Sequence, residues 1–135
     1  MTRNDPMDHD ELTRWTTALR SGQYIQTKFS LRSDEGYCCL GVYCDLASYP
    51  RWIRRLGVWH FGAQLFRLSG YLMDKIGLDE VAVNDLISMN DDLSYTFDRI
   101  ASELEHYHLH GSWSAETLCK LRIYETLIEE DLVTE

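Results

Sequence analysis

The sequence predicts an α+β fold, a small antiparallel sheet packed against several helices in a single compact domain. Apolar residues recur at helical spacing near both ends of the chain, and one stretch alternates apolar with polar residues. The chain has 135 residues, of which 44% are hydrophobic, and this suffices for one buried core. We expect a flexible start over residues 1–8 and one folded domain over residues 9–135.

The first third of the chain predicts a helix followed by a strand. Asp8 or Asp10 can cap the helix at its start, and Ser21-Gly22 is a typical helix end. Apolar and polar residues then alternate with period two over residues 25–32, which favours a strand with one buried face. The residues expected on that buried face are Ile25, Thr27, Phe29 and Leu31.

The later elements are predicted from helical spacing and from glycine positions. A second helix is expected from Cys39 onward, because apolar residues follow it at helical spacing. Glycines divide residues 51–77 into short pieces, which indicates a loop or hairpin with a short helix at its end. Three more helices are predicted after this, with Ser94 capping the second and Ser112 or Ser114 beginning the third.

Charge is distributed unevenly along the chain, whose net charge is −9. Residues 46–73 contain four arginines and no acidic residue, whereas residues 74–135 contain four basic and fifteen acidic residues. This pattern predicts a polarised surface, which steers charged partners and repels bare nucleic acid from the acidic side. We therefore expect no direct nucleic-acid binding through the acidic face.

The apolar runs are short, which bears on the location of the protein. None is long enough to cross a bilayer, and the first residues lack the apolar stretch of a signal peptide. We therefore expect no membrane association and a cytoplasmic protein. The four cysteines are then expected to be reduced.

Three of the four cysteines lie within seven residues, at Cys38, Cys39 and Cys44. Adjacent side chains on a strand point to opposite faces, which is unlike the paired spacing of zinc ligands. The histidines of "HYHLH" (His106, His108 and His110) are better explained as a solvated helix end. No metal and no cofactor is expected.

A cysteine nucleophile is a further interpretation of the same stretch. Cys38 or Cys39 is expected at a strand-to-helix junction, where the positive end of a helix lowers the pKa of a thiol. The stretch is superficially similar to the cysteine entry of papain-like and NlpC/P60 peptidases, and His60 or one of the "HYHLH" histidines would be the base. Apolar neighbours on both sides favour a core role instead, so an enzyme is the less favoured hypothesis.

The strongest candidate for a binding surface is the segment 49–71, where arginines alternate with aromatic residues. Arginine and aromatic side chains bind stacked bases, nucleotides and the hot spots of partner proteins. The alternative is that the rings lie in the core and the arginines cover a solvated face. The candidate residues of this segment are Arg51, Trp52, Arg54, Arg55, Trp59 and Arg67.

Two blocks of the sequence resemble a known group of proteins. Residues 18–48, "ALRSGQYIQTKFSLRSDEGYCCLGVYCDLAS", are similar to the opening of a family of small uncharacterised phage and prophage proteins that read LRSG-x-Y-x-Q and then YCCLGV-x-CDL. Residues 86–105, "LISMNDDLSYTFDRIASELE", resemble a second block of that family, an Asn-Asp turn before a Phe-containing helix. The resemblance implies a phage origin and a compact domain, so the cytoplasm expected for this protein is that of a host cell. It implies no activity and no catalytic residues.

The favoured hypothesis is a small acidic phage accessory protein that acts by non-catalytic binding. It would inhibit a host protein complex that handles nucleic acid or serves in defence. The acidic last third, with Glu129, Glu130 and Asp131, would occupy a basic channel as DNA mimics do. The arginine and aromatic segment would anchor the contact or pair two copies as a homodimer.

Two alternatives remain open beside it. The first is a module that binds and sequesters a nucleotide or signalling molecule. Arg54, Arg55 and Arg67 would contact its phosphates, and Trp52 or Trp59 would stack on its base. The second is the cysteine-dependent hydrolase.

Overall fold

The structure, a computed structural model, describes the backbone of residues 7–133 and the side chains of residues 7–127. Within that range the chain forms six helices and one two-stranded antiparallel sheet, so the predicted α+β class is confirmed. No helix in the described range is both long and apolar enough to span a bilayer. The elements are α1 (His9–Arg20), α2 (Cys39–Leu46), β1 (Trp52–Arg55), β2 (Val58–Phe61), α3 (Gly70–Ile76), α4 (Glu80–Asp91), α5 (Phe97–His110) and α6 (Ala115–Val133).

Helix α1 forms where the sequence predicts it. The carboxylate of Asp8 accepts a hydrogen bond from the backbone N–H of Glu11 at 2.9 Å, which caps the first turn. The helix ends at Arg20, and Gly22 adopts a φ of +77° beyond it. The predicted flexible start, residues 1–8, falls mostly outside the described residues, since the description begins at Met7. Met7 itself is buried and Asp8 is the cap.

Helix α2 lies at the centre of the core. Its first six residues are all buried, and the indole N–H of Trp15 in α1 donates to the carbonyl of Cys39 at 3.0 Å. A side chain at Gly41 is excluded, because a Cβ there would lie 1.8 Å from the carbonyl oxygen of Leu31. Glycine at this position therefore lets the helix approach the preceding loop closely.

The predicted strand over residues 25–32 is wrong. Only isolated bridges to Tyr37 occur there, and no neighbouring strand is present in the described chain. The expected buried face is also broken, because Ile25 is 69% exposed and Phe29 is 66% exposed with a φ of +75°. The side-chain amide of Gln26 points inward instead and donates to Asn90 at 2.9 Å. This segment is therefore held by polar side-chain contacts and not by backbone pairing with another strand.

The second half of the chain forms helices as expected, with one cap misplaced. Ser94 does not cap α5, because it has a φ of +56°, and the cap is Thr96, whose hydroxyl accepts from Arg99 N at 3.1 Å. The last helix begins after Ser114, as predicted. Ser114 is held by the buried carboxylate of Glu103, which accepts from its hydroxyl at 2.6 Å.

Candidate functional site

The arginine and aromatic segment folds into a β-hairpin. Strands β1 and β2 are antiparallel, with Trp52 opposite Phe61 and Arg54 opposite Trp59. Leu56 and Gly57 form the two-residue turn, with φ values of +54° and +78° that match the twist of a tight hairpin. Since side chains alternate along a strand, the hairpin has two faces with different surroundings.

The inner face of the hairpin, formed by Trp52, Arg54, Trp59 and Phe61, packs on the loop before α2. There the guanidinium of Arg32 lies 3.7 Å from the ring centroid of Trp59. It also lies 5.2 Å from the ring centroids of Trp52 and Tyr37. These distances are those of cation–π contacts, so the rings enclose a cation that the chain itself supplies.

Two carboxylates complete the inner face. Asp34 accepts hydrogen bonds from the indole of Trp59 and from the guanidinium of Arg54, both at 2.9 Å. These bonds, that of Arg54 first, hold the pKa of Asp34 below its ordinary value. Asp45 accepts from the indole of Trp52 at 3.0 Å and from the hydroxyl of Tyr24 at 2.6 Å. Both indole N–H groups and Arg54 are thus engaged within the protein.

The outer face of the hairpin is turned away from these contacts. It combines two cationic side chains with apolar ones, and no acidic residue lies anywhere in the hairpin. Leu56 at the tip is 96% exposed, and Ile53 and Val58 are also exposed. The members of the outer face are Arg51, Ile53, Arg55, Leu56, Val58 and His60.

The remaining candidate residues do not join either face. Arg67 donates to Asn84 and forms an ion pair with Glu80 at 3.6 Å, both through α4. The predicted set therefore separates into inner residues (Trp52, Arg54 and Trp59), outer residues (Arg51 and Arg55) and Arg67. The acidic candidates Glu129, Glu130 and Asp131 belong to α6, but their side chains lie outside the described residues.

The cysteine stretch forms part of the core. The sulfur of Cys38 accepts a hydrogen bond from Gly41 N at 3.4 Å and so caps α2. Burial raises the pKa of Cys38 to about 12 and that of Cys39 well above its ordinary value. The thiol of Cys39 donates to the carbonyl of Leu86 at 3.8 Å, and Cys44 is also buried. These contacts favour packing over nucleophilic chemistry.

The "HYHLH" histidines lie in the last turns of α5, which agrees with the predicted helix end. The rings of His106 and His110 are 4.4 Å apart, and Nδ1 of His106 lies 2.8 Å from the carbonyl of Ser112. Among the described residues no group of three or more His, Cys, Asp or Glu side chains is arranged to hold a metal ion.

Several residues of the site were missed by sequence reasoning. Arg32, Asp34 and Asp45 lie outside the segment, and only the fold brings them to the inner face. For the turn at Leu56 the local signal is Gly57 alone, because glycine readily adopts the positive φ that a tight hairpin turn requires, whereas leucine is not a typical residue of such turns.

Comparison with known proteins gives one match. Residues 7–56 match the model of a domain of unknown function, DUF8296. This range holds α1, α2 and β1, and it includes the block that resembles phage proteins. No curated protein and no solved structure matches the chain.

Proposed function

We propose that this protein is a non-catalytic binding protein that docks on another protein through the outer face of its hairpin. The observation that carries the proposal is Leu56, which is 96% exposed at the tip of a tight turn and has a φ of +54°. A leucine in the left-handed region is uncommon, and a fully exposed one gains nothing from the core of its own chain. Exposed neighbours Ile53 and Val58 extend it to an apolar patch of the kind that forms the centre of protein interfaces.

The charges on the outer face suggest the chemistry of the partner. Arg51 and Arg55 lie beside the apolar tip, with no acid on the hairpin to neutralise them. A complementary surface has an apolar pocket for Leu56 and carboxylates at its rim. Arginine is well suited to such contacts, because its planar guanidinium binds carboxylates through two parallel hydrogen bonds.

The acidic last third is the second part of the proposal. Some of its carboxylates are paired within the protein: Arg20 contacts Glu105 at 2.7 Å and Asp98 at 3.3 Å. Arg99 similarly contacts Glu116 at 2.8 Å. The excess of acidic residues over basic ones in residues 74–135 is large enough to leave a negative field after these pairings.

The finer proposal concerns the biological role. We infer from the resemblance of residues 18–48 that the protein is a phage accessory factor in the host cytoplasm. It would inhibit a host complex that handles nucleic acid or serves in defence, with the acidic third, including Glu129, Glu130 and Asp131, in a basic channel. Pairing of two copies through the arginine and aromatic segment would instead give a homodimer.

A matched pair of variants tests the docking surface. Arg54→Gln and Arg55→Gln each remove one positive charge from adjacent positions on opposite faces. In pull-downs from host-cell lysate, Arg55→Gln should capture less of any specific partner than the wild type, whereas Arg54→Gln should capture as much. Capture should also fall when salt is raised, because salt screens exposed charges. Equal capture by both variants, insensitive to salt, contradicts the proposal.

The nucleotide module is less favoured by the geometry. The guanidinium of Arg32 lies over the rings of both Trp52 and Trp59, and these two rings contact each other edge to face, with 6.4 Å between their centroids. Arg54 is held by Asp34 and Arg67 by α4, so the expected phosphate contacts do not converge. A thermal-shift screen with nucleotides checks this alternative, because a ligand that binds the native state raises the melting temperature.

The hydrolase alternative is tested by alkylation of the thiols. At neutral pH, iodoacetamide should modify the exposed Cys119 readily and leave the buried Cys38, Cys39 and Cys44 unmodified until denaturant is added. Mass spectrometry counts the modified sites. Rapid alkylation of Cys38 or Cys39 in the folded protein would restore the hydrolase as the leading hypothesis.

A further inference from the structure

A concave site lies away from the hairpin tip. It is a cavity of about 250 Å³ between the start of α2 and the last turns of α4. Its floor is formed by residues 38–40 and by Ile87 and Asn90, and its rim carries two aromatic rings, Phe29 and Phe66. Both rings are largely in solvent, since Phe29 is 66% exposed and Phe66 is 55% exposed.

The backbone at the rim is strained in a way that exposes a ring. Phe29 has a φ of +75°, a conformation that costs a bulky residue about 1 kcal/mol or more. Two hydrogen bonds hold it there: Phe29 N donates to the carboxylate of Asp91 at 3.1 Å, and Leu31 N donates to the carbonyl of Leu65 at 2.8 Å. The fold thus places a large apolar side chain beside a cavity instead of in the core.

The polar groups of the cavity have distinct roles. Asn90 is saturated, because its side-chain oxygen accepts from Gln26 and Cys39 N, and its amide nitrogen donates to Thr27 O and Asp91. It therefore holds the floor in place. Asp91 brings a carboxylate to the cavity, and only one of its two oxygens is used in these contacts.

No basic residue neutralises this carboxylate from within the cavity. Among the described residues that line it there is no Lys, Arg or His. Lys28, which precedes Phe29 in the chain, donates to the hydroxyl of Ser94 at 2.6 Å and does not line the cavity. The site is therefore apolar with a single negative end.

We propose that this cavity binds a small aromatic amine, with the ring between Phe29 and Phe66 and the ammonium group at Asp91. The size fits, because a cavity of about 150 Å³ lined by apolar side chains holds benzene, so one of about 250 Å³ accepts a bicyclic ring. Aromatic rings at the rim favour both ring stacking and cation–π contacts. This site is separate from the proposed docking face.

Three probes that share one ring test the proposal on the full chain. Isothermal titration with tryptamine, indole and indole-3-acetate should give affinities that decrease in that order, because Asp91 attracts the amine and repels the carboxylate. In the wild type, the affinity for tryptamine should be about fivefold higher than that for indole. Asp91→Asn keeps an oxygen acceptor for Phe29 N but removes the charge, so the two affinities should then lie within about twofold of each other. An unchanged preference for tryptamine would overturn the assignment of Asp91.

Three cavity variants separate binding from folding. Phe29→Gly removes the ring and relieves the positive φ, so it should raise the melting temperature and weaken tryptamine binding. Ile87→Phe should fill the cavity and abolish binding of both tryptamine and indole. If Ile87→Phe does not fold, Phe66→Ala replaces it as the test, because Phe66 is exposed and its loss should weaken tryptamine binding. Tryptamine binding that is absent in the wild type, or unchanged in these variants, overturns the proposal. Partner capture by the hairpin should not change in any of them.

Discussion

The two faces of the hairpin carry similar residue types and have opposite surroundings. Arg54 and Arg55 are neighbours in the chain, yet Arg54 is paired with Asp34 at 2.9 Å and Arg55 points to the exposed side. Trp59 on the inner face covers the guanidinium of Arg32, whereas Leu56 at the tip contacts solvent almost entirely. The inner face therefore stabilises the fold, and we propose that the outer face binds a partner.

The difference arises from residues that are distant in the sequence. Asp34 is 25 residues from Trp59 and 20 from Arg54, and it accepts hydrogen bonds from both. An arginine-rich, aromatic segment is thus not a binding surface as a whole. Only those side chains that lack such acceptors in the fold remain able to bind another molecule.

The largest effect is expected at the inner face. Trp59→Ala removes the ring that covers Arg32 and leaves Asp34 with one donor fewer, so we expect it to lower the free energy of unfolding by about 2 kcal/mol. Urea denaturation followed by circular dichroism measures this change. A loss below about 0.5 kcal/mol, the range of ordinary surface substitutions, would mean that the inner face does not support the fold.

A smaller effect of opposite sign is expected at the tip. Leu56→Gly should raise the free energy of unfolding by about 0.5 kcal/mol, because glycine adopts a positive φ without the penalty that leucine has there. The same denaturation experiment measures it. Leu56→Met retains both the positive φ and the apolar bulk and is the control. If Leu56→Gly destabilises the protein, the tip has a structural role that the exposure of Leu56 does not reveal.

The variants Arg54→Gln and Arg55→Gln should differ from each other in stability by a smaller amount. Arg54→Gln breaks an exposed ion pair and should lower the melting temperature slightly, whereas Arg55→Gln should leave the melting temperature within experimental error. Thermal unfolding of the two variants side by side makes the comparison. Equal melting temperatures would show that the pair with Asp34 contributes nothing to stability.

The smallest effect is a dependence on pH at Asp34. Its pKa is lowered in the folded state, so its contribution to stability is present above the ordinary value of 3.8 and is lost as the pH falls through the folded pKa. The stability difference between the wild type and Asp34→Asn should therefore be present at pH 7 and decrease below the ordinary pKa. A stability difference between the two proteins that is the same at pH 7 and below pH 3.8 would rule out a role for the charge of Asp34.

Much of the fold could be predicted from local patterns. The starts of α1 and α2 follow from Asp8 and from the apolar spacing after Cys39, and the hairpin follows from glycine positions. The strand over residues 25–32 could not be rejected locally, because its alternation is genuine and it is overridden only by the absence of a pairing strand among residues 7–133. The inward turn of Gln26 depends on Asn90, which lies 64 residues away.

The candidate site could be predicted only in part. The sequence identified the segment that became the hairpin, and it gave packing as the alternative role of its aromatic residues. The sequence could not assign Arg54 to the inner face and Arg55 to the outer face, because that assignment requires the strand register and the position of Asp34. The exposure of Leu56 was missed, because a leucine in such a segment is ordinarily assigned to the core.

The most direct test of the proposed binding surface is the amount of partner captured from cell lysate by Leu56→Gly and Leu56→Met at equal concentrations of folded protein. A protein captured by the wild type and by Leu56→Met should be lost with Leu56→Gly, although the glycine variant is expected to be the more stable of the two. Equal capture by both variants would contradict the claim that the outer face of the hairpin is a binding surface.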